Sequence, residues 1–206
     1  MFTGIITDIG TITTVEARGD TRIVVATAFE MATVDLGASI ACSGVCLTVI
    51  DKSGPGAPGW FAVDVSGESI ARTAADQWTE GQRLNLERAM KLGDELGGHI
   101  VTGHVDAVGR VTLRREVAGS IHLAITCTAE IAPFIAAKGS VTVDGVSLTV
   151  NAVEDHADKS ATFDLNLIPH TAEVTTLGAL QQGDAVNLEI DVLARYLKRM
   201  QALQAG

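Results

Sequence analysis

The feature that most limits how this chain can fold is an internal repeat. The segment SIACSGVCLTV begins at Ser39 and SVTVDGVSLTV begins at Ser140, and the two agree at six of eleven positions. Other blocks recur in the same order, since TGIITDIGTI matches TGHVDAVGRV and GQRLNLE matches GDAVNLE. The offset drifts only from 99 to 102 residues along the repeat. Small loop insertions explain that drift, so we predict two homologous domains with one shared topology.

Each copy is predicted to form a small β-barrel. Val, Ile and Thr recur in short runs between turn-forming residues, and aromatics make up only 4% of the chain, which favours strands. The pattern predicts strands at 4–16, 22–27, 60–65 and 83–88 in the first copy and at 103–115, 121–126, 162–167 and 185–190 in the second. The repeated phrase is a further strand, preceded by a short helical or irregular piece. Six short antiparallel strands per copy suit a closed barrel, because closure leaves no sheet edge exposed. The fold class is therefore all-β.

The copies meet near the pair Gly97-Gly98, where glycine permits an unrestricted turn. We predict domains at residues 1–97 and 98–190 and a C-terminal α-helix at 191–206. The terminal sequence DVLARYLKRMQALQ has apolar residues at helical spacing. Two uses of this helix stay open: packing against a barrel, or association with copies of itself at a symmetry axis.

Charge and cysteine content narrow the class of protein. The formal net charge of -10 argues against nucleic acid as a partner, because binding a phosphate backbone relies on Lys and Arg. The N-terminal sequence lacks a secretory signal, and apolar runs stay far below the roughly 18 residues of a membrane span, so we expect a cytoplasmic protein without membrane contact. Cys42 and Cys46 on one continuous strand would lie about 13 Å apart, which indicates reduced thiols.

Common cofactor motifs are absent from the sequence. His99 and His104 lack HExxH spacing, and there is no CxxC pair, so no metal is expected. There is no GxGxxG opening a helix and no Walker loop, which argues against a dinucleotide or triphosphate cofactor.

The informative positions are those where one copy departs from the other in chemical type. They are Ile5/His104, Gly37/Lys138, Cys46/Ser147 and Ala89/Asp191. Taken singly, each has a plain explanation: a surface histidine, a cation at a helix end, a small buried thiol and a helix cap. Because all four fall in blocks that are otherwise retained, we predict two equivalent pockets with different chemistry.

These residues resemble a known family. MFTGII, SGVCLTV, GGHIVTGHVD and DGVSLTV, in that order in a duplicated chain with a terminal helix, are similar to riboflavin synthase of the α-chain type. The resemblance covers essentially the whole chain. One departure is Ser43, where the family usually has Asn, and this change is compatible with a turn.

The resemblance implies two six-stranded Greek-key barrels in a homotrimer joined through the terminal helices. The implied reaction is a dismutation of two 6,7-dimethyl-8-ribityllumazine molecules: one donates a four-carbon unit to the other, giving riboflavin and 5-amino-6-ribitylamino-pyrimidinedione. No metal, flavin or nicotinamide cofactor is implied. Association with lumazine synthase is left open.

The resemblance also assigns site residues. Those in the first barrel would be Phe2, Gly4, Ile5, Ile6, Ser39, Leu47, Thr48, Asp64, Val65 and Ser66. Those in the second would be Gly103, Val105, Lys138, Leu148, Thr149, Ile168, Pro169, His170, Thr171, Ala172 and Glu173. Each barrel would then form one lumazine pocket, with the reactive pair between barrels of neighbouring subunits.

The hypothesis for catalysis uses Cys46, His104, Ser147 and Asp191. Cys46 or Ser147, or a water that they position, would add at or protect C7 of the acceptor. His104 with Asp191 would assist proton transfer, since imidazole titrates near neutral pH. Two alternatives are a fluorescent antenna protein that binds lumazine without turnover and a duplicated barrel used only for assembly. The sequence leaves open which pocket holds the donor and how many trimer interfaces act at once.

Overall fold

The structure, a computed structural model, describes residues 1–204. The strands of the first repeat are β1 (Asp8–Arg18), β2 (Asp20–Ala26), β3 (Ser39–Cys42), β4 (Val45–Lys52), β5 (Trp60–Val65) and β6 (Arg83–Arg88). Those of the second are β7 (Ala107–Val117), β8 (Ser120–Cys127), β9 (Ser140–Val143), β10 (Val146–Thr149), β11 (Ala152–Asp155), β12 (Ala161–Leu167) and β13 (Ala185–Ile190). The α-helices are α1 (Gly67–Arg72), α2 (Pro169–Val174) and α3 (Val192–Gln204), and short 3-10 helices lie at Met31–Thr33, Ala132–Phe134 and Thr176–Ala179.

The first repeat is a closed antiparallel barrel, as predicted. Its strand order is β1-β2-β5-β4-β3-β6, and β6 pairs with β1 to complete the ring. Alternate residues point inward, so that along β4 Val45, Leu47 and Val49 are buried while Thr48 is exposed. This alternation separates a packed interior from an outer face that is free to bind a ligand.

The second repeat differs from the predicted six strands, because it forms a curled sheet of seven. The order is β10-β9-β13-β7-β8-β12-β11, and its two edge strands, β10 and β11, are consecutive in the chain. The interruption falls at Val150 and Asn151, the position where β4 of the first repeat has a bulge between Val49 and Asp51. A bulge in one copy has thus become a break in the other.

The repeated phrase is a hairpin and not the single strand expected from its sequence. Ser43-Gly44 forms the turn between β3 and β4, with φ of 44° and 86°, and Asp144-Gly145 forms the equivalent turn, with φ of 44° and 81°. Two consecutive residues with positive φ are typical of tight hairpin turns, for which Ser-Gly and Asp-Gly are suitable sequences. The turn divides the repeated phrase into two strands in each copy. The additional strand is the sixth of the six strands predicted for each copy.

The first predicted strand of each copy begins later than expected. Gly4 and Gly103 adopt φ of 77° and 78°, a left-handed conformation that interrupts an extended strand. Therefore β1 starts at Asp8 and β7 at Ala107, which leaves the preceding residues free to reach the other repeat. The short helices α1 and α2 were not predicted, because six residues are too few to show helical periodicity.

The two repeats contact each other along an approximate two-fold axis. The Asn85 side chain donates to the Asp144 carbonyl at 2.9 Å and accepts from the Thr176 N–H at 2.7 Å. The Asn187 side chain reciprocates, donating to the Ser43 carbonyl at 2.8 Å and accepting from the Ala74 N–H at 2.8 Å. Buried amides that bond the opposite repeat in this reciprocal way hold the two sheets in one orientation.

The predicted C-terminal helix is present as α3, Val192–Gln204, within the 191–206 expected from the sequence. The last two residues of that range lie outside the described residues. Within residues 1–204, no helix combines the length and apolar character needed to cross a bilayer.

Candidate functional site

The segments that precede β1 and β7 cross to the opposite repeat. The Ser147 N–H, in the second repeat, donates to the Gly4 carbonyl at 2.9 Å, and the Cys46 N–H, in the first, donates to the Gly103 carbonyl at 2.8 Å. The resemblance groups Gly4, Ile5 and Ile6 with the first barrel. In the structure Gly4 also bonds the second sheet and Ile6 packs in its core, while Gly103 and Val105 contact the first barrel in the same way.

Glycine is required at both crossing points. A Cβ on Gly4 would come within 2.5 Å of the Ser147 Cβ, and one on Gly103 would come within 2.6 Å of the Cys46 Cβ. Neither distance occurs between real side chains, so the close approach of the segments depends on the missing Cβ as well as on the positive φ.

A buried glutamate at the end of each sheet holds the crossing segment of the same repeat. Glu189 accepts from the N–H groups of Thr102, Gly103 and His104 and from the Thr102 hydroxyl, at 2.6–3.2 Å. Glu87 accepts from the N–H groups of Thr3 and Gly4 and from the Thr3 hydroxyl, at 2.7–2.9 Å. Burial raises the pKa of each carboxyl, while these donors act in the opposite direction. The repeated Asn-Leu-Glu thus carries one residue for the contact between repeats and one for the segment.

The outer face of the first barrel forms one candidate pocket. Cys46 and Thr48 point outward from β4, with Ser39 beside them on β3. Asp64 is exposed on the next strand, β5, which ends just before Ser66, the N-cap of α1. The remaining predicted residues, Leu47 and Val65, face the barrel interior, so only their backbone is available to a ligand.

The second repeat also contributes a residue to this part of the first barrel. Val105 packs against the core of the first barrel, directly after Gly103 has bonded to Cys46. Phe2, also predicted to bind substrate, is fully buried and packs with Ala41, Val101 and Cys46. It is fixed there because the backbones of Phe2 and Val101 pair at 2.8 and 3.1 Å.

The outer face of the second sheet forms the other candidate pocket. Ser147 and Thr149 lie on β10, and Leu148 between them packs against the core. Ile168 is the N-cap of α2, and Pro169, His170 and Glu173 on that helix are exposed, whereas Ala172 packs against the core. Thr171 accepts, through its carbonyl, from the Thr175 hydroxyl at 2.6 Å.

The first repeat completes this second pocket. Ile6 enters the hydrophobic core of the second sheet, and together with His170 and Val174 it lines a cavity of about 460 Å³. Ile5 points the other way, where it is 47% exposed and lines a cavity of about 640 Å³ beside the segment that joins the repeats. Each pocket is therefore built from both repeats.

The predicted proton-transfer group is not assembled as expected. His104 is exposed and is tied to Glu189 through its backbone, and no hydrogen bond or ion pair joins its ring to Asp191 within residues 1–204. Asp191 accepts from the Leu193 N–H at 2.9 Å, which is the plain role of a helix N-cap. Lys138 is exposed, and its N–H donates to the Val150 carbonyl at 2.7 Å.

The structure instead connects Ser147 to a histidine that the sequence analysis considered only as a metal ligand. His99 is buried, with Nδ1 at 2.7 Å from the Ser147 Oγ and Nε2 at 3.2 Å from the Thr142 Oγ1. Burial lowers the pKa of His99, and the Asp191 carboxylate opposes that shift. His99 lies within the motif GGHIVTGHVD, but the sequence does not pair it with Thr142 or Ser147, because these partners lie 43 and 48 residues further along the chain.

Among residues 1–204, no three His, Cys, Asp or Glu side chains come close enough together to hold a metal ion. The three cysteines are free thiols, of which Cys42 and Cys127 are buried and Cys46 is partly exposed. Burial raises the pKa of both Cys42 and Cys127, so Cys46 is the cysteine placed to meet a ligand.

Comparison with known families follows the duplication seen in the fold. The model of the lumazine binding domain matches the chain twice, at residues 3–89 and 102–191. These ranges correspond to the two sheets and their crossing segments.

Curated relatives match over nearly the full length. The riboflavin synthase of Brucella abortus (strain 2308) is 46% identical over 206 residues, covering 99% of this chain and 100% of the relative. That of Mycobacterium tuberculosis (strain ATCC 25618 / H37Rv) is 43% identical, covering 97% and 98%. That of Photobacterium phosphoreum is 42% identical, covering 97% and 88%.

Solved structures with the same fold include LumP complexed with riboflavin, with a TM-score of 0.77, 24% identity and coverage of 92% of this chain and 99% of LumP. LumP complexed with 6,7-dimethyl-8-(1'-D-ribityl) lumazine gives a TM-score of 0.75 at 23% identity, with coverage of 92% and 98%. At this identity the likeness concerns the fold, and it confirms the predicted pair of similar all-β units.

Proposed function

The chain belongs to the lumazine binding domain family, and from that membership we propose that it is an enzyme that makes riboflavin from two molecules of 6,7-dimethyl-8-ribityllumazine. The observation that carries the proposal is its similarity to riboflavin synthases along nearly the whole chain. One lumazine gives up a four-carbon unit and becomes 5-amino-6-ribitylamino-pyrimidinedione. The other gains that unit and becomes riboflavin, so the carbon atoms of two substrates are all accounted for in two products.

Two pockets with one frame suit a reaction between two copies of one molecule. Each pocket has a hydroxyl at the same place, Thr48 or Thr149, which can hydrogen-bond the pyrimidinedione edge. Holding two heterocycles in fixed relative orientation turns a bimolecular encounter into a local one, which is a large share of the rate enhancement. The differing residues Cys46 and Ser147 allow the two copies to play different parts.

Charge at the pockets fits the chemical step. Loss of a proton from the C7 methyl builds negative charge into one lumazine ring, and Lys138 supplies a cation for it. Cys46 or Ser147, or a water that they hold, adds at or protects C7 of the other ring. His104 is exposed and available for proton transfer. Single-turnover rates for Cys46→Ser and His104→Gln test these roles, since unchanged rates in both variants would leave orientation as the only contribution.

Incubating the purified protein with the lumazine alone tests the function itself. We expect riboflavin absorbance to rise, with one riboflavin formed for every two lumazines consumed. Bound but unconverted lumazine would instead indicate an antenna protein, which is the second candidate function because LumP shares the fold. Absence of both binding and turnover would leave a structural role.

We also propose that the chain acts as a homotrimer held together by α3. The helix is attached to the second sheet through its polar side, where Arg195 bonds Asp106 at 2.7 Å and the Lys198 Nζ lies 4.3 Å from the centre of the Phe134 ring. Its apolar side is exposed, and consists of Leu193, Tyr196, Leu197, Met200 and Leu203, each at least 59% accessible. An apolar helix face left open in this way favours association between copies over packing on the helix's own barrel.

A chain truncated after Asp191 tests this assembly. We expect the truncated protein to sediment as a monomer while the full chain sediments as a trimer. An unchanged oligomer would contradict the proposal. The domain limits at residues 1–97 and 98–190, the cytoplasmic location and the association with lumazine synthase stay predictions from the sequence.

A further inference from the structure

His99 is placed by backbone contacts that leave its ring little freedom. Its N–H donates to the Thr3 carbonyl at 3.1 Å, and two residues later Val101 pairs with Phe2. Gly98 lies so close to the Thr3 carbonyl and to Ser147 that a Cβ would not fit there. The segment that joins the repeats is therefore clamped to the N-terminal segment, and the clamp directs the His99 ring toward the second sheet.

The ring bridges two residues that face each other across a strand pair. Ser147 on β10 and Thr142 on β9 are register partners, and His99 contacts one hydroxyl with each nitrogen. Thr142 is only 1% exposed, whereas Ser147 is partly exposed on the outer face of the second sheet. The buried contact therefore fixes the orientation of the ring, and the other nitrogen meets a hydroxyl that a ligand can reach.

Both separations lie in the hydrogen-bonding range, so each neutral tautomer of His99 is compatible with the two contacts. The tautomer that makes Nδ1 an acceptor carries its proton on Nε2. In that tautomer Nε2–H donates to the Thr142 Oγ1, and Nδ1 is left to accept from the Ser147 hydroxyl. The lone pairs of the Ser147 oxygen are then free to point into the pocket.

The first pocket has no such arrangement. Within the part of the chain that the structure describes, no side chain hydrogen-bonds the Cys46 thiol. The contact between Cys46 and the second repeat is the backbone bond to Gly103. The repeats therefore differ in the partner of the pocket residue as well as in the residue itself.

We propose that His99 is a positioning residue that orients the Ser147 oxygen toward the second pocket and accepts its proton. The proposal rests on the proposed function for its role in catalysis, although the hydrogen bond itself does not. Because burial lowers the pKa of His99, the ring is neutral at neutral pH and Nδ1 is able to accept. Asp191 is the charged group that acts on the ring, and it would stabilise the imidazolium after proton transfer.

The first experiment needs no lumazine and tests the proton acceptor directly. In a Cys46→Ser background, Ser147→Cys places a thiol beside His99 while Cys42 and Cys127 stay buried. The rate of alkylation of that thiol by iodoacetamide is followed against pH, with the modified peptide identified by mass spectrometry. We expect His99→Asn to slow the reaction about tenfold near neutral pH, because the imidazole no longer favours the thiolate. Superimposable pH profiles with and without His99 would overturn the proposal.

His99→Asn is a matched variant, because an amide can occupy the place of Nδ1 and keep a hydrogen bond while lacking its basicity. His99→Gln places its amide near Nε2, keeps the Thr142 contact and gives up Ser147, so it serves if the first variant does not fold. For turnover, we expect His99→Asn to lower kcat by about 10- to 100-fold with KM changed less than about twofold. Equal effects on kcat and KM, or none on kcat, would contradict the catalytic part. Failure of the wild-type protein to make riboflavin would refute the proposed function but leave the alkylation result standing.

Discussion

Lys138 adopts a left-handed backbone conformation, with φ of 66°, that glycine holds at the equivalent position of the first repeat, where Gly37 has φ of 84°. Side chains with a Cβ are strained there, and a lysine gains nothing from the site in terms of packing because it is exposed. Strained backbone conformations cluster at functional sites, so the strain at Lys138 supports the role proposed for its charge.

Lys138→Gly is therefore expected to separate stability from function. The free energy of unfolding should rise by up to about 1 kcal/mol as the strain is relieved, while kcat for riboflavin formation falls because the cation is lost. Urea unfolding and steady-state kinetics measure the two effects. Lys138→Asn is the control, since asparagine tolerates positive φ without carrying charge; if it retains full activity, the charge has no role.

Asp144 is a residue whose environment works against its charge. It lies in the turn between β9 and β10 and faces a cavity of about 460 Å³ between the repeats, which is also lined by Asp76, Arg83 and Asp184. Burial raises the pKa of Asp144 to about 7, with the Asn187 N–H opposing and the Asp184 charge adding to the shift. The equivalent residue in the first repeat is uncharged Ser43.

Asp144→Asn should stabilise the protein in a pH-dependent way. An acid whose pKa is higher in the folded state binds more protons when folded, so stability falls as pH rises from about 4 to about 7. The variant should therefore gain about 1–2 kcal/mol over the wild type near pH 8 and little near pH 5. Urea denaturation at both pH values checks this, and an equal difference at the two would disprove the assigned ionisation.

At the scale of elements, the crossing segments link the two repeats beside both candidate pockets. Each consists of a few residues outside any strand, anchored by a buried glutamate on one side and by a glycine–strand contact on the other. The anchor and the contact belong to different repeats. The segment therefore fixes the position of one sheet relative to the candidate pocket on the other.

Gly103→Ala tests the docking of one segment. The new Cβ would meet the Cys46 backbone and side chain within 3.1 Å, so we expect a loss of about 2 kcal/mol or more beyond backbone strain, together with weakened lumazine binding. Gly119→Ala is a matched control, because Gly119 has a similar φ of 84° and nothing within 4 Å. Thermal unfolding and fluorescence titration measure both; similar losses in the two variants would contradict a docking role.

The sequence predicts most of the elements but not their contacts. The repeat located β5, β6 and β13 at their observed limits, because alternation and turn residues are local signals. The Ser43-Gly44 turn also carries such a signal, although the repeated phrase was expected to be one continuous strand. The bonds of Ser147 to Gly4 and to His99 could not be predicted from one sequence, since they depend on how two sheets are placed in space.

At the scale of the whole molecule, the two repeats pack directly against each other and form one structural unit. Asn85 and Asn187 each bond backbone groups of the opposite repeat, and Gly44 and Gly145 approach so closely that a Cβ on either would come within 3.0 Å of the other's N. Relative motion of the sheets would break these buried bonds, which cost more to leave unmade than they gain when formed.

Leu197→Glu probes how several such units assemble. Leu197 is 59% exposed on the apolar side of α3, and a charge there should dissociate the proposed trimer because it cannot be buried without a partner. Sedimentation equilibrium measures the mass. Leu36→Glu, at a position 62% exposed in the first repeat, should leave the mass unchanged; a trimer that survives Leu197→Glu would show that α3 is not the contact.

The crossing segments suggest how a duplicated chain of this kind arose. In the full chain, Gly4 and Ile6 contact the second sheet, and Gly103 and Val105 contact the first barrel. A precursor with a single repeat would have lacked a partner for its own segment, and the same geometry would have demanded a swapped pair of identical chains. Duplication and fusion of the gene would then have allowed the two pockets to mutate independently. Cys46 in one pocket and Ser147 with His99 in the other could diverge in this way.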